Sequence, residues 1–299
     1  MNKKILIAGA TGNLGGRIAR ALRAINVEVT AIVREKSNTE KIQELEQIGL
    51  KVIVLDLLNA TEVTKSCAGI TCVVSALAGL ENVIIDTQKV LLDAAIAAGV
   101  PRFIPSDFSL DFTKFTDGEN RNLDLRRKFH TYLDKQNIKA TTIFNGAFAD
   151  MVTNEMPLIL YKQKRILYWG NADHKMCFTT VQNTAEYTAQ VAIDNDSPRY
   201  LRIAGDYVSP REIKTTMSTV TKSNYKFFRA GGKGLLKFII KIARKFDKDE
   251  KELYPAWQGM QYMCNMIDER ATIEKFDNDR YINLQWTTIK NIVSKFLNL

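Results

Sequence analysis

The chain has 299 residues, 45% of them hydrophobic, with 42 basic and 33 acidic side chains and a net charge of +9. That length suits one large α/β domain, or one domain with a smaller one appended, and the composition is that of an ordinary soluble protein. Cys67, Cys72, Cys177 and Cys264 show no C-x-x-C spacing and His130 and His174 lie far apart, so neither a disulfide framework nor a metal site is indicated and a reducing compartment is expected.

The basic start Met1-Asn2-Lys3-Lys4 precedes only four apolar residues, too few for a signal peptide. No run approaches the roughly 18 apolar residues of a spanning helix. The expected location is the cytoplasm.

Ile5-Leu6-Ile7-Ala8 is a short apolar run that enters Gly9-Ala10-Thr11-Gly12-Asn13-Leu14-Gly15 directly, followed by the amphipathic spacing Leu14, Ile18, Leu22, Ile25. That pattern predicts strand, tight turn and helix. The first glycine lets the backbone turn sharply, the second keeps a Cβ away from a ligand, and the third lets helix and strand pack closely. Free N–H groups at the helix start then face an anion, as in dinucleotide-binding folds. The alternative is a bare glycine turn.

Val27 to Val33 alternates and is rich in β-formers, so it reads as the second strand, ending at Arg34. An acidic residue at this point would hold the ribose 2′-hydroxyl of NAD(H), whereas a basic one suits the 2′-phosphate of NADP(H). Arg34, with Lys36 and Lys41 after it, favours NADP(H); the alternative gives Glu35 the NAD(H) role and turns Arg34 to solvent. A helix over Thr39 to Ile48 leads to a third strand, Lys51 to Asp56, with Asp56 a candidate for the adenine edge. Cys72 to Gly79 is a buried-looking fourth strand that ends in small residues and so leaves room for a ligand. An apolar helix, Ile84 to Ala98, stops at Gly99 and Pro101, and Arg102 to Phe108 forms the fifth strand and its functional end. Five rounds of alternation predict an α/β, doubly wound parallel sheet with its site along the carboxyl edge.

A polar helix over Leu123 to Asn137 and a sixth strand over Ala140 to Asn145 complete the first part. Beyond Met151 the order is mixed: a hairpin-like Ile166 to Asn171, a helix Thr184 to Asp194, a strand Tyr200 to Ala204, and a helix after Ser209-Pro210. The expected division is a dinucleotide-binding domain over 1–151 and a smaller α+β substrate-side domain over 152–299, with a helix and strand near 180–205 returning to the first. Between Lys222 and Lys245 there are eight basic residues and no acidic one, a pattern read as a solvated helix face rather than a nucleic-acid site, since no nucleic-acid motif accompanies it. Within it Lys233 to Phe246 reads as a helix with a cationic stripe and a wide apolar side. That side is expected to be buried against protein beside the substrate pocket, with an anionic membrane as the alternative.

Gly9 to Gly15, Val33-Arg34-Glu35, Asp86-Thr87-Gln88, Arg102 to Phe108, Asn145 to Ala149 and Asn278-Asp279-Arg280-Tyr281 together resemble the NmrA-like and isoflavone-reductase-like branch of the atypical short-chain dehydrogenase/reductases. The resemblance implies a Rossmann fold and NADPH along the carboxyl edge. It implies Thr11, Gly12, Asn13 and Leu14 at the pyrophosphate, Arg34 at the 2′-phosphate, Ser75, Ala76 and Leu77 at the ribose side, and Ser106, Asn145 and Phe148 at the nicotinamide end. For reductase members it implies a lysine on the helix after the fifth strand, and here that position is Arg126. Arginine stays protonated and is no tunable acid or base. Lys128 is the other candidate, although it lies about 200° around the helix from Arg126. No tyrosine has lysine four residues later, so the ordinary short-chain pair is missing. Two functions follow: an NADPH-dependent reductase of a small carbonyl or alkene substrate, with Phe108, Phe148, Tyr168 and Trp169 as pocket-wall candidates, or a non-catalytic NADP(H) sensor acting through a protein partner.

Overall fold

The computed structural model describes residues 3–247, 249 and 251–299; Met1 and Asn2 of the basic start lie outside the described residues. Strand β1 (Lys4–Ala8) sits inside the main sheet, and its run of Ile5, Leu6, Ile7 and Ala8 is fully buried. A strand covered on both faces carries apolar residues in succession rather than in alternation. Helix α1 (Asn13–Ala24) turns Ile18, Ala19 and Leu22 inward. There follow β2 (Glu28–Val33), α2 (Thr39–Gln47), β3 (Lys51–Val54), α3 (Ala60–Ser66) and β4 (Cys72–Ser75). A wide π-helical turn, Asn82–Thr87, leads into α4 (Gln88–Ala97), and then come β5 (Arg102–Ile104), α5 (Arg121–Leu133) and β6 (Lys139–Ala140).

The six strands lie in the order β3-β2-β1-β4-β5-β6, every pair parallel. This is the doubly wound α/β sheet. The chain runs outward from β1 to β3, then crosses back to β4 on the other side of β1, so the order reverses between β1 and β4. In such sheets the ligand crevice opens at the carboxyl ends beside that reversal.

The sixth strand is split, which the sequence pattern does not reveal. The Thr141 N–H donates to Phe103 C=O at 3.0 Å, whereas the next amide, Thr142, donates to Arg199 C=O at 2.8 Å. So β7 (Thr142–Phe144) leaves β5 and pairs in parallel with Tyr200–Arg202. After it come β8 (Ala147–Phe148), β9 (Ile159–Leu160), β10 (Arg165–Trp169) and β11 (Met176–Thr179). Helix α6 (Val181–Ile193) lays Ala185, Ala189 and Ala192 in the same core cluster as Ile18, Ala19 and Leu22 of α1, and β12 (Tyr200–Arg202) follows. Small side chains on α6 let the two helices approach closely. The opposite face of the sheet is covered by α3, α4 and α5 through Val63, Leu91, Ala95 and Phe129.

Strand β13 (Asp206–Val208), α7 (Pro210–Thr221), β14 (Lys226–Gly231), α8 (Lys233–Phe246), α9 (Ala256–Met266) and α10 (Ile289–Phe296) complete the chain. Two three-stranded sheets, β14-β10-β9 and β13-β11-β8, gather a further core around Phe144, Phe178, Ile213, Met217 and Val293. Ile166 to Asn171 is not a hairpin. Gly170, at φ +68°, turns the chain away after β10, and β11 enters the other sheet. The expectation for α8 is corrected in part: its ends fall at Lys233 and Phe246, but only Leu236 and Ile240 are buried, against α9. Among the described residues no helix is long and apolar enough to cross a membrane.

Candidate active site along the carboxyl edge

The register levels the strand ends: Ala8 lies opposite both Ile32 of β2 and Ser75 of β4, and Val74 lies opposite Ile104 of β5. Residues immediately after these positions therefore share one rim. Gly9 takes φ +92°, and a Cβ there would fall 2.5 Å from Ala76 C=O, so only glycine turns the chain at this point. A Cβ on Gly15 would fall 2.2 Å from Gly9 C=O, which is the close helix–strand approach the third glycine permits. Gly12 differs: its φ is −79° and a Cβ would meet only Gly9 C=O, at 3.2 Å. Nothing within the fold demands its lack of a side chain as strictly as at the other two.

Gly12 caps α1 without a side-chain bond, no acidic residue stands in the first turn, and the N–H groups of Asn13, Leu14 and Gly15 find no protein acceptor among the described residues. Those N–H groups and the helix dipole make an anion cradle. A cavity of about 500 Å³ opens beside it, lined by Thr11, Gly12, Asn13, Arg17, Arg20 and Lys41 among others. Lys41 donates to Thr11 C=O at 3.2 Å, Arg17 is held by Asn13 and by Gln182 of α6, and Arg20 by Glu44. The sequence reading missed the two arginines, although their spacing on α1 just past the glycines was a visible signal. Arg34 is exposed, its backbone N–H bonded to Ser37 Oγ at 3.1 Å. Asp56 follows β3 and accepts from Leu58 N–H at 3.0 Å.

Further along the rim, Ser106 donates its hydroxyl to Leu77 C=O at 2.6 Å, and its N–H donates to the fully buried Gln88 at 2.9 Å. Leu14, Ala76 and Phe148 are half-buried and pack on the core cluster of the α1 side. Phe108 belongs to the same cluster, whereas Tyr168 packs edge-on against Phe227 and Trp169 against the α8–α9 cluster. Polar atoms without partners also gather here. Ser75 Oγ, Asp107 Oδ1, Arg126 Nε and both polar atoms of the Asn145 side chain are buried and unbonded. Burial without a hydrogen bond is costly, so such atoms mark places where a ligand or water supplies the partner.

Arg126 lies on the inner face of α5, 9% exposed, with one N–H donated to Asn122 C=O at 2.8 Å. One turn on, His130 Nε2 meets Asp107 Oδ2 at 2.6 Å, and Thr142 donates to the same oxygen at 2.7 Å. Arg199 Nη2 faces His130 Nδ1 at 3.2 Å, so Nδ1 accepts and Nε2 carries the hydrogen towards Asp107. Burial pushes the Asp107 carboxyl up, but His130, Thr142 and the Arg126 charge together hold it below the usual carboxylate value. Lys128 points the other way: it is exposed and ion-paired with Glu81, whose hydrogen bond raises the lysine above its ordinary value.

Known proteins share this architecture over nearly its whole extent. Pinoresinol reductase 1 of Arabidopsis thaliana is 24% identical over 233 residues, covering 73% of this chain and 72% of that protein. A crystal structure of isoflavone reductase superposes with a TM-score of 0.82 at 18% identity, covering 99% of this chain and 100% of the other. The binary complex of leucoanthocyanidin reductase with NADPH from Vitis vinifera gives 0.79 at 16% identity, with coverage of 99% and 100%. The model of the NmrA-like family matches residues 1–290, and the chain belongs to that family.

Proposed function

We propose that the protein is an NADPH-dependent reductase of a small carbonyl or alkene substrate. The observation that carries this reading is the set of unbonded buried polar atoms that follow the strand ends, Ser75 Oγ at the end of β4, Asp107 Oδ1 after β5 and Asn145 Oδ1 and Nδ2 after β7, together with Arg126 Nε on α5. The cradle fits a dinucleotide: free N–H groups for the pyrophosphate, and a turn in which a Cβ would collide at Gly9 and Gly15. The names of the relatives, reductases in each case and one complexed with NADPH, support the same assignment.

In this reading Gly9, Thr11, Gly12, Asn13, Leu14 and Gly15 hold the pyrophosphate. Arg34 and Lys41 neutralise the 2′-phosphate, and Asp56 borders the adenine. Ser75, Ala76 and Leu77 line the ribose, and Ser106, Asn145 and Phe148 the nicotinamide. Bound NADPH supplies the hydride. A guanidinium is a permanent cation, so Arg126 stabilises negative charge that develops on the substrate, and solvent water delivers the proton that completes the reduction. Both nitrogens of His130 are engaged within the protein, which makes it a positioning residue for Asp107 and, through α5, for Arg126. Lys128 receives no catalytic part, because its amine is spent on Glu81 at the surface.

We assign the dinucleotide to residues 1–151 together with α6 and β12, and the substrate side to the rest of 152–299. The packing of α6 on α1 and the pairing of β12 with β7 support that division. Four unpaired cysteines support a reducing, cytoplasmic setting.

NADPH oxidation against a panel of aromatic carbonyl and alkene compounds tests the reading. Turnover in wild type and a fall in kcat of about a hundredfold in Arg126→Ala are expected. Tight NADPH binding with no turnover on any member of the panel would favour the sensor instead.

A further inference from the structure

The protein covers only a narrow arc of α8. Leu236 and Ile240 are buried with Cys264 of α9, and Trp169 packs against them. Leu235, Phe238, Ile242 and Phe246 recur at three or four residues and are 48%, 59%, 42% and 76% exposed. Phe228 of β14, paired with Leu167, is 45% exposed as well. Beside the apolar stripe, about a quarter turn around the helix, Lys237, Lys241 and Lys245 recur every four residues. All three are exposed and have no acidic partner among the described residues, whereas Lys233 is paired with Asp268 and Arg244 lies over the Trp257 ring. No acidic residue interrupts the chain from Lys222 to Lys245.

Two adjacent stripes, one aromatic and apolar and one cationic, match a surface in which an apolar layer lies directly beneath a layer of negative charge. An anionic lipid interface has that order. A second copy of the chain fits poorly, since a two-fold pairing of α8 on itself would bring two lysine rows together with no counter-charge. Nucleic acid would leave the phenylalanines in water.

We propose that α8 seats the protein on anionic lipid surfaces. Phe238 and Phe246 enter the acyl boundary, and Lys237, Lys241 and Lys245 meet the lipid phosphates. This docking is independent of the reductase assignment.

Full-length protein is sedimented with phosphatidylcholine vesicles made with and without phosphatidylglycerol. Binding is expected only with phosphatidylglycerol and weakens as salt rises. Lys237→Glu with Lys241→Glu, and separately Phe238→Ser with Phe246→Ser, should each weaken it by about tenfold or more, with thermal unfolding unchanged. Failure to sediment with phosphatidylglycerol vesicles overturns the proposal, as does equal binding to both vesicle types. So does a dimer in analytical ultracentrifugation that Phe238→Ser with Phe246→Ser dissociates, since the stripe would then belong to a second copy.

Discussion

In the proposed assignment Arg34 is the residue on which cofactor choice turns. It stands just past β2, on the rim shared with the glycine turn, with its guanidinium exposed and without a protein partner among the described residues. A guanidinium in that position is available for a phosphate dianion, and Lys41 is held at the turn by its bond to Thr11. Charge-assisted bonds of this kind contribute about 1.5 to 3 kcal/mol each, so one or two give a tenfold preference or more. Wild type is therefore expected to bind NADP(H) at least about tenfold more tightly than NAD(H), and Arg34→Ala to lose most of that ratio. Titration of both cofactors against both proteins checks this, and equal affinities in wild type would remove Arg34 from the site. Arg126 makes the complementary point: the residue type was readable, but its burial and its unbonded Nε were not.

The β1–turn–α1 unit is the element in which local sequence and ligand chemistry separate most cleanly. Gly9 and Gly15 are required by the fold, because a Cβ at either would collide with backbone. Gly12 has only one tight neighbour, at 3.2 Å, so in the proposed assignment its requirement lies on the ligand side. Gly12→Val should abolish NADPH binding while thermal unfolding stays close to wild type. Gly15→Ala should instead cost about 1 to 3 kcal/mol of stability through overpacking. Calorimetric titration together with urea unfolding of the two variants separates the cases. A Gly12→Val protein with an unchanged dissociation constant would move the nucleotide elsewhere. The π-helical turn before α4 serves the site differently, leaving Gln88 buried and bonded to the Ser106 amide.

Across the whole molecule an ionic tie joins segments distant in sequence. Arg270 reaches Glu119 at 2.7 Å and Asp268 at 2.8 Å, and Asp268 also receives Lys233 at the start of α8. The Arg270 hydrogen bond lowers the Glu119 carboxyl from 4.5 to about 2, against an opposing effect of burial and with help from Thr116. Asp268 is lowered as well, first of all by Arg270. A carboxyl lowered on folding contributes stability that is full above its unfolded value and is lost as pH falls through its folded one. Stability should therefore drop as pH falls from 4.5 towards about 2. In Arg270→Ala the drop over that window should be shallower, and the protein weaker at neutral pH. Urea unfolding followed by circular dichroism across that range tests it; parallel curves for the two proteins would assign the acid sensitivity to other groups.

What depends on near neighbours along the chain is legible in the residues themselves. A run of four apolar residues into three spaced glycines dictates the strand, turn and helix. The alternation after it dictates the parallel sheet, and the spacing of Lys233 to Phe246 dictates α8 to its last residue. What depends on partners far away along the chain emerges only from the packed fold. The switch of pairing at Thr141 follows from β12 arriving about sixty residues later, and no local pattern marks it. The bonds of Asp107 with His130 and of His130 with Arg199 span 23 and 69 residues, so their chemistry exists only once β5, α5 and β12 are packed together. Strands β8, β9 and β13 are two or three residues long, too short to show a period. For α8 the apolar arc was legible, but its cover was not: periodicity fixes which residues share a face, while exposure depends on what the rest of the chain brings to that face, and here α9 buries only Leu236 and Ile240 of it.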